Sequence, residues 1–493
     1  MDVHGVVTKE TDSQTQTTTT VNMSVIGLVG TAPDAATGTA ASLTLGSTLA
    51  DNAIVYTAAA VGTDGNSLQV TIVTGAASAE TSVAYADSLL TITLGADDAG
   101  AATATAAEVV AAVTALASSD VTAALYSGSM GAGQVVACAA TNLSGGVDEP
   151  FPLYTPSLIS GSRSKAKKLG YTGTLYADMY DILNNASALV VVVRVDEDED
   201  ADQQRANILQ GIEALQVGQN TLNYQPRILV APEWSTDDGV AKSLESMATT
   251  LSGIAYIDSP AGATAESVAV RGQQYGSRVE IMRPRPYVTS DVTGKSVNRP
   301  YSAVAAGLRV AVDNEYGYWW SKSNKELLGV TGFEQMDSFV IGDANCVANQ
   351  LNQANVSTVI LLDSYKHWGN RLCGGSAPLY FEAVRRTMDA IEASIQLMVT
   401  KNFTDRPIDK AFGTSITGSI NAYLRKLTTQ GVINGGRCWL DDDLNTEKEL
   451  QAGNVYLNVT VGPKSPAEQI TITYSIDESY TVTELSSSST TTS

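Results

Sequence analysis

Two histidines, His4 and His367, are the chain's only imidazole bases. His367 lies in "LLDSYKHWGN", with Asp363 and Ser364 before it and Cys373 six residues beyond. Such residues can build a hydrolytic triad, in which a base activates a hydroxyl or thiol beside an oxyanion hole. No nucleophile-elbow glycine pattern accompanies them, so a packed or capping histidine is expected. The four cysteines, Cys138, Cys346, Cys373 and Cys438, stand far apart, and no CxxC or HExxH spacing offers a zinc site. No disulfide framework is expected either, which fits folding in a reducing cytoplasm.

Three further stretches invite chemistry. "VTGKS" (292–296) resembles the end of a phosphate loop, but the glycine required five positions before Gly294 is Thr289. "DEDED" (196–200) spaces Asp196, Asp198 and Asp200 like half of a calcium loop. Its sixth position is Ala201 instead of glycine, and its twelfth is Asn207 instead of glutamate. A solvated loop leading into a helix is the expectation there. Finally, Tyr316, Tyr318, Trp319 and Trp320 crowd into five positions of a chain that is only 6% aromatic. They form either a packing knot in a C-terminal core or a carbohydrate-stacking platform, and the knot is the simpler reading. No catalytic residue, metal ligand or cofactor is assigned, and no enzyme is expected.

The elements that would position these residues fall into zones. An arm and linker occupy 1–20, where "HGVV" precedes a polar tract, and a buried first strand lies in 21–33, ending at Gly27 and Gly30. Residues 34–150 are rich in Ala, Thr, Gly and Val, with short strands and one helix near 105–117, and read as an inserted β-rich outer domain. Residues 151–300 alternate continuous apolar strands (188–195, 227–232, 253–258, 278–282) with helices, the pattern of a mostly parallel α/β sheet. Residues 301–477 read as a mixed α+β core. They comprise a long helix over 381–403, a second helix over 409–433 broken near Gly413–Gly418, and strands at 453–463 and 468–477. A last β-prone piece, "ESYTVTEL", runs into a serine and threonine tail across 478–493. The expected fold class is therefore α/β plus α+β, with an insert and two extended arms.

Charge narrows the partners. The net charge is −22, and residues 31–150 hold eleven Asp or Glu with no Lys or Arg. Such a surface repels nucleic acid. No run of eighteen apolar residues exists and the N-terminus has no basic and apolar leader, so neither membrane insertion nor secretion is expected.

Taken together, "PYSAVAAGLRVAVDNEYGYWWSKSNKELLGVTG", "LNQANVSTVILLDSYKHWGNRL", "VRRTMDAIEASI", "INAYLRKLTTQGVINGGRCWLDDDLNT" and "LQAGNVYLNVTVGPKSPAEQITI" resemble the C-terminal half of contractile tail sheath proteins. These occur in tailed, myovirus-type phages and in phage-tail-like bacteriocins. "VVVVRV", "PRILVAP" and the N-terminal "HGVV" resemble the same family, and only about 34–150 falls outside the likeness.

The resemblance implies a structural subunit that polymerises as stacked, six-fold rings around an inner tube and contracts to drive that tube through a cell envelope. It implies self-association together with tube, baseplate and tail-terminator partners. It places the protein in a virion tail assembled in host cytoplasm. Terminal arms that add strands to a neighbour's sheet would be Val6, Val7 and Thr8 at one end and Tyr480, Thr481, Val482 and Thr483 at the other. Lys401, Arg406, Lys410, Arg425 and Lys426, set against Asp405 and Asp409, are candidates to face an acidic tube. The alternative class is a glycan-binding adhesin that uses the aromatic cluster and the acidic insert.

Overall fold

The computed structural model describes residues 17–116 and 118–477. The proposed arm residues Val6, Val7, Thr8, Tyr480, Thr481, Val482 and Thr483 lie outside the described residues.

The fold is mixed α/β with several sheets. Its backbone is a nine-stranded sheet. Val25–Thr31 is the pivot, parallel to Leu189–Val195 on one side and to Ile228–Val230 on the other. Ile254–Asp258, Val279–Met282 and Val356–Leu362 continue the parallel block, while Ser157–Ser160 and Ser364–Trp368 flank it antiparallel. The parallel strands are almost wholly buried because helices cover both faces. Leu175–Asn185 and Tyr301–Glu315 pack on one side. Ala201–Ala214, Asp238–Thr250 and Ala265–Gly272 pack on the other. This is why the strand sequences are continuous apolar runs.

The sheet takes its last strands from beyond residue 300, so the expected boundary there coincides with no break in the sheet. The first strand also runs through Gly27 and Gly30 instead of ending at them. Glycine suits this buried strand because a Cβ at position 30 would overlap the Thr174 hydroxyl packed over it.

Residues beyond Thr31 leave for the insert, which closes its neck by paired backbone bonds between Thr39 and Val147, at 2.9 and 3.0 Å. The insert contains a three-stranded and a four-stranded sheet around one apolar core. Its helix, Ala106–Thr114, begins with a capping box between Thr105 and Glu108.

The C-terminal unit packs helices Glu382–Asn402 and Lys410–Thr429 against a two-stranded sheet, Ile433–Leu440 with Leu457–Pro463. Two expectations fail here. The second helix is continuous through Gly413 and Gly418. Gly413 is a packing residue, since a Cβ there would sit 3.1 Å from Leu440 Cδ1, and its carbonyl still receives the Thr417 hydroxyl at 2.7 Å. The expected strand over 468–477 does not form: residues 468–476 belong to none of the sheets among the described residues and lie exposed.

Candidate assembly surface

The residues that first suggested chemistry are structural. His367 is sealed from water, with Nδ1 2.9 Å from the Tyr301 hydroxyl and Nε2 3.2 Å from Glu280. Burial lowers its pKa, against the pull of Glu280. Among the described residues no hydrogen bond joins it to Asp363, Ser364 or Cys373, and burial pushes the Cys373 thiol up to about 12. "VTGKS" is the turn between the antiparallel strands Pro286–Thr289 and Ser296–Asn298, far from the geometry of a phosphate loop. Asp200 caps the helix Ala201–Ala214 by accepting from the backbone N–H of Asp202 and Gln203, at 3.0 and 2.9 Å. Among the described residues no group of three metal-ligating side chains comes together.

The aromatic cluster divides between two cores. Tyr316 packs against the core of the main sheet, while Tyr318 and Trp319, edge to face with each other, pack against the C-terminal core. Trp320, 48% exposed, stacks on Tyr316, and Lys325 Nζ sits 3.7 Å from the Tyr316 ring centre. The rings are a joint between units, and only one presents a free face. This leaves no multi-ring sugar platform.

The core holds a buried charge network whose ion pairs, apart from Arg309 with Asp313 one turn apart on a helix, join residues far apart in sequence. Lys322 donates to Glu280 on the sheet and, at 2.7 Å, to Glu382 on the long C-terminal helix. Arg386 donates to both oxygens of Asp313, at 2.7 and 2.6 Å, and to the Met23 carbonyl at 2.8 Å. Arg309 completes it as an ion pair 2.9 Å from Asp313, without hydrogen-bond geometry. Three cations thus face the three carboxylates Glu280, Glu382 and Asp313. Burial alone would raise all three carboxyls, but the surrounding Lys and Arg hold them below the ordinary range. The network fastens sheet, N-terminal segment and C-terminal unit into one body.

Among the described residues, two exposed surfaces of the C-terminal unit stand out. Lys401, Arg406, Lys410, Arg425 and Lys426 are all exposed and, among the described residues, none forms an ion pair. They form two groups instead of one. The first three surround the corner between the C-terminal helices, and the last two lie about 22 Å further along the second helix.

The other surface is the segment after Pro463. Ile470, Ile472, Tyr474 and Ile476 recur at every second position and are 77%, 65%, 87% and 95% exposed. Extended chain places all four on one face. A 2.5 Å ion pair between Arg371 and Glu468 ties the segment's start to the body. The two-stranded sheet beside its origin has no third strand among the described residues.

Comparison with known proteins settles what kind of body this is. The profile of the phage tail sheath C-terminal domain matches residues 377–477. A prophage major tail sheath protein of Pseudomonas aeruginosa is 34% identical over 323 residues, covering 64% of this chain and 83% of the relative. The chain belongs to the tail sheath protein family. The sheath protein of Burkholderia phage BcepMu is 36% identical over 293 residues, 56% of this chain and 61% of that one. The sheath protein of Escherichia phage P2 is 29% identical over 349 residues, 67% and 87%.

The fold agrees with these sheath sequences. The contracted sheath complex of the extracellular contractile injection system PVC superposes with a TM-score of 0.51 at 18% identity, over 67% of this chain and 89% of that one. The contracted anti-feeding prophage baseplate gives 0.55 at 18%, over 66% and 90%. The sheath profile runs through the exposed alternating stretch to residue 477, the last described residue.

Proposed function

We propose that this chain is the structural subunit of a contractile sheath, forming stacked rings around an inner tube in the tail of a virion or phage-like particle. The observation that carries the reading, beyond membership of the family, is the exposed alternating stretch 470–476. Ile470, Ile472, Tyr474 and Ile476, exposed at alternate positions, are unfavourable in water and favourable as one face of an added strand on another copy's sheet. The proposed terminal arms, Val6–Thr8 and Tyr480–Thr483, extend the same idea to both chain ends. Polar tethers between arm and body let neighbouring bodies slide and rotate while strand pairing persists.

Contraction needs a source of free energy. Additional interface between bodies supplies it at about 25 cal/mol per Å² of apolar area before ordering costs. A body locked by the buried charge network moves as one piece, so a small gain per copy adds up along the polymer. Lys401, Arg406, Lys410, Arg425 and Lys426 are the side chains proposed to meet an acidic tube, and baseplate and terminator proteins are the proposed partners at the two ends. The role is structural, without cofactor or nucleic acid.

Negative-stain electron microscopy of the purified full-length protein at high concentration tests the reading. Hollow cylinders of uniform diameter are expected. A protein that stays monomeric at every concentration, and does not coat tubes when they are supplied, overturns it.

A further inference from the structure

We propose that the distal end of the acidic insert docks on the basic strip Arg163–Lys168 of a second copy of this chain, an inference that rests on the sheath reading above. The strip, "RSKAKK", is the densest run of cations in a protein of net charge −22. It folds as a short helix, Arg163–Ala166, and a following turn, Lys167–Leu169. Ala166 and Leu169 are buried beneath it, which turns the four cations outward. Among the described residues Lys165, Lys167 and Lys168 have no ion pair, and Arg163 donates to the Leu183 carbonyl and to Asn184 instead of to a carboxylate. Tyr171, 54% exposed, adds an apolar ring beside the strip. Unpaired cations grouped on a fixed frame beside an exposed ring suit an acidic partner with some apolar surface.

The insert presents that chemistry at its far end. The parallel strands Gln69–Thr74 and Leu89–Leu94 run away from the neck and end in loops that carry Glu80, Asp97 and Asp98, all exposed. The loops are held in place. Asp97 accepts from the N–H groups of Ala99 and Ala101, at 2.9 and 2.8 Å, and the Ser78 hydroxyl donates to Asp98 at 2.5 Å. At the same end of the neighbouring sheet Leu49 and Met130 are 99% and 86% exposed, and Asp51 fixes their loops by accepting from the backbone around Met130. Acidic and apolar groups therefore share one end.

The chain cannot bring these two surfaces together on itself. The strip adjoins the insert's root, where the Ala36 N–H donates to the Lys168 carbonyl at 2.7 Å. The distal loops stand about 20 Å further out, the length of the strand Gln69–Thr74. At the root, Asp34 is already committed to the N–H groups of Tyr171 and Thr172, at 3.0 Å each. A tip at one end and a strip at the other make a head-to-tail contact, which repeats from copy to copy and suits a helical polymer. A polyanion is the competing occupant of a basic strip, and the chain's overall charge opposes it.

The test uses full-length protein carrying Lys165→Glu, Lys167→Glu and Lys168→Glu together, and a second version that also carries Asp97→Lys and Asp98→Lys. All five sites are exposed, and unchanged thermal melting of the unassembled protein verifies folding. The triple reversal is expected to lower the polymerised fraction about tenfold at low salt, and the charge-swapped version to restore it. Wild-type polymerisation is expected to weaken as salt rises. Equal polymerisation by wild type and triple variant overturns the proposal while leaving the sheath reading intact. So does loss of heparin binding in the triple variant with polymerisation unchanged, which assigns the strip to a polyanion. If wild type itself never polymerises, the sheath reading fails first.

Discussion

Arg386 grips Asp313 with both terminal nitrogens, at 2.7 and 2.6 Å, and both side chains are almost fully shielded from water. The pair links the helix Glu382–Asn402 to the helix Tyr301–Glu315, and the Met23 carbonyl and Ser24 hydroxyl join the same charges. Breaking it strands a charge in a medium that cannot solvate it. Asp313→Asn is expected to destabilise the unassembled protein by about 3–5 kcal/mol, read from urea denaturation. Replacing Arg386 and Asp313 together with apolar residues of similar volume should cost less than Asp313→Asn alone. A double variant as unstable as the single one would show that the cost lies in lost packing.

Asp178 and Asp181 pose the opposite electrostatic case. They lie one turn apart on the buried face of the helix Leu175–Asn185, and each has one oxygen without a hydrogen-bond partner. Burial pushes Asp181 up to about 7, against the pull of Arg299 and aided by Asp291; burial also raises Asp178, with Asp181 adding to it. Between the ordinary carboxyl pKa of 3.8 and about 7 the folded chain therefore holds a proton that the unfolded chain releases. Stability contributed by the neutral acid is complete below that window and declines as pH rises through it. Asp181→Asn mimics the protonated form. Its stability relative to wild type should rise from pH 4 to pH 7 and level off above; a flat difference would show Asp181 ionised throughout.

The two neighbouring tryptophans separate packing from surface display. Trp319 contributes to the C-terminal core, whereas Trp320 covers Tyr316 from outside. Trp319→Ala should cost about 2 kcal/mol and Trp320→Ala less than about 0.5 kcal/mol. Glycan-array binding that disappears in Trp320→Ala would revive the adhesin reading.

How much of this was legible in the chain follows from which forces are local. The parallel strands announced themselves because both faces are buried, so Val190–Val193 reads as an unbroken apolar run. The stripe Phe381, Val384, Met388, Ile391, Ile395 and Met398 did the same for the long helix, with Met388 and Ile395 half-buried and the others buried. Gly413 misled because its role is close contact with Leu440, set by a strand almost thirty residues away. The charge network left one local signal, the helix pair Arg309 and Asp313; Glu280, Lys322, Glu382 and Arg386 join it only after the sheet closes. Ile470, Ile472, Tyr474 and Ile476 alternate as a strand would, yet among the described residues they belong to no sheet.

The exposed cations give a graded test of contact with an inner tube. Arg425→Glu with Lys426→Glu changes one group, and Lys401→Glu with Lys410→Glu changes the other, about 22 Å away. If only one group meets the tube, only one pair should reduce sheath–tube co-assembly, with a salt dependence that wild type shares. Full co-assembly by both pairs would remove all five residues from the tube contact.

The strand addition proposed for the segment after Pro463 is tested by removing it. Its apolar residues Ile470, Ile472, Tyr474 and Ile476 bury little within their own chain, so they add little to the stability of a lone subunit. Ending the chain at Pro463 removes them along with the 2.5 Å Arg371–Glu468 ion pair, itself partly exposed and worth about 1 kcal/mol or less. The truncated protein should therefore melt close to wild type and remain soluble, yet form no cylinders. Replacing the four apolar residues with serine in the full-length chain should give the same result while keeping its length. Ordered tubes from both variants would place the cohesion of the polymer elsewhere on the body, and a large drop in melting temperature would show that the segment packs against its own subunit.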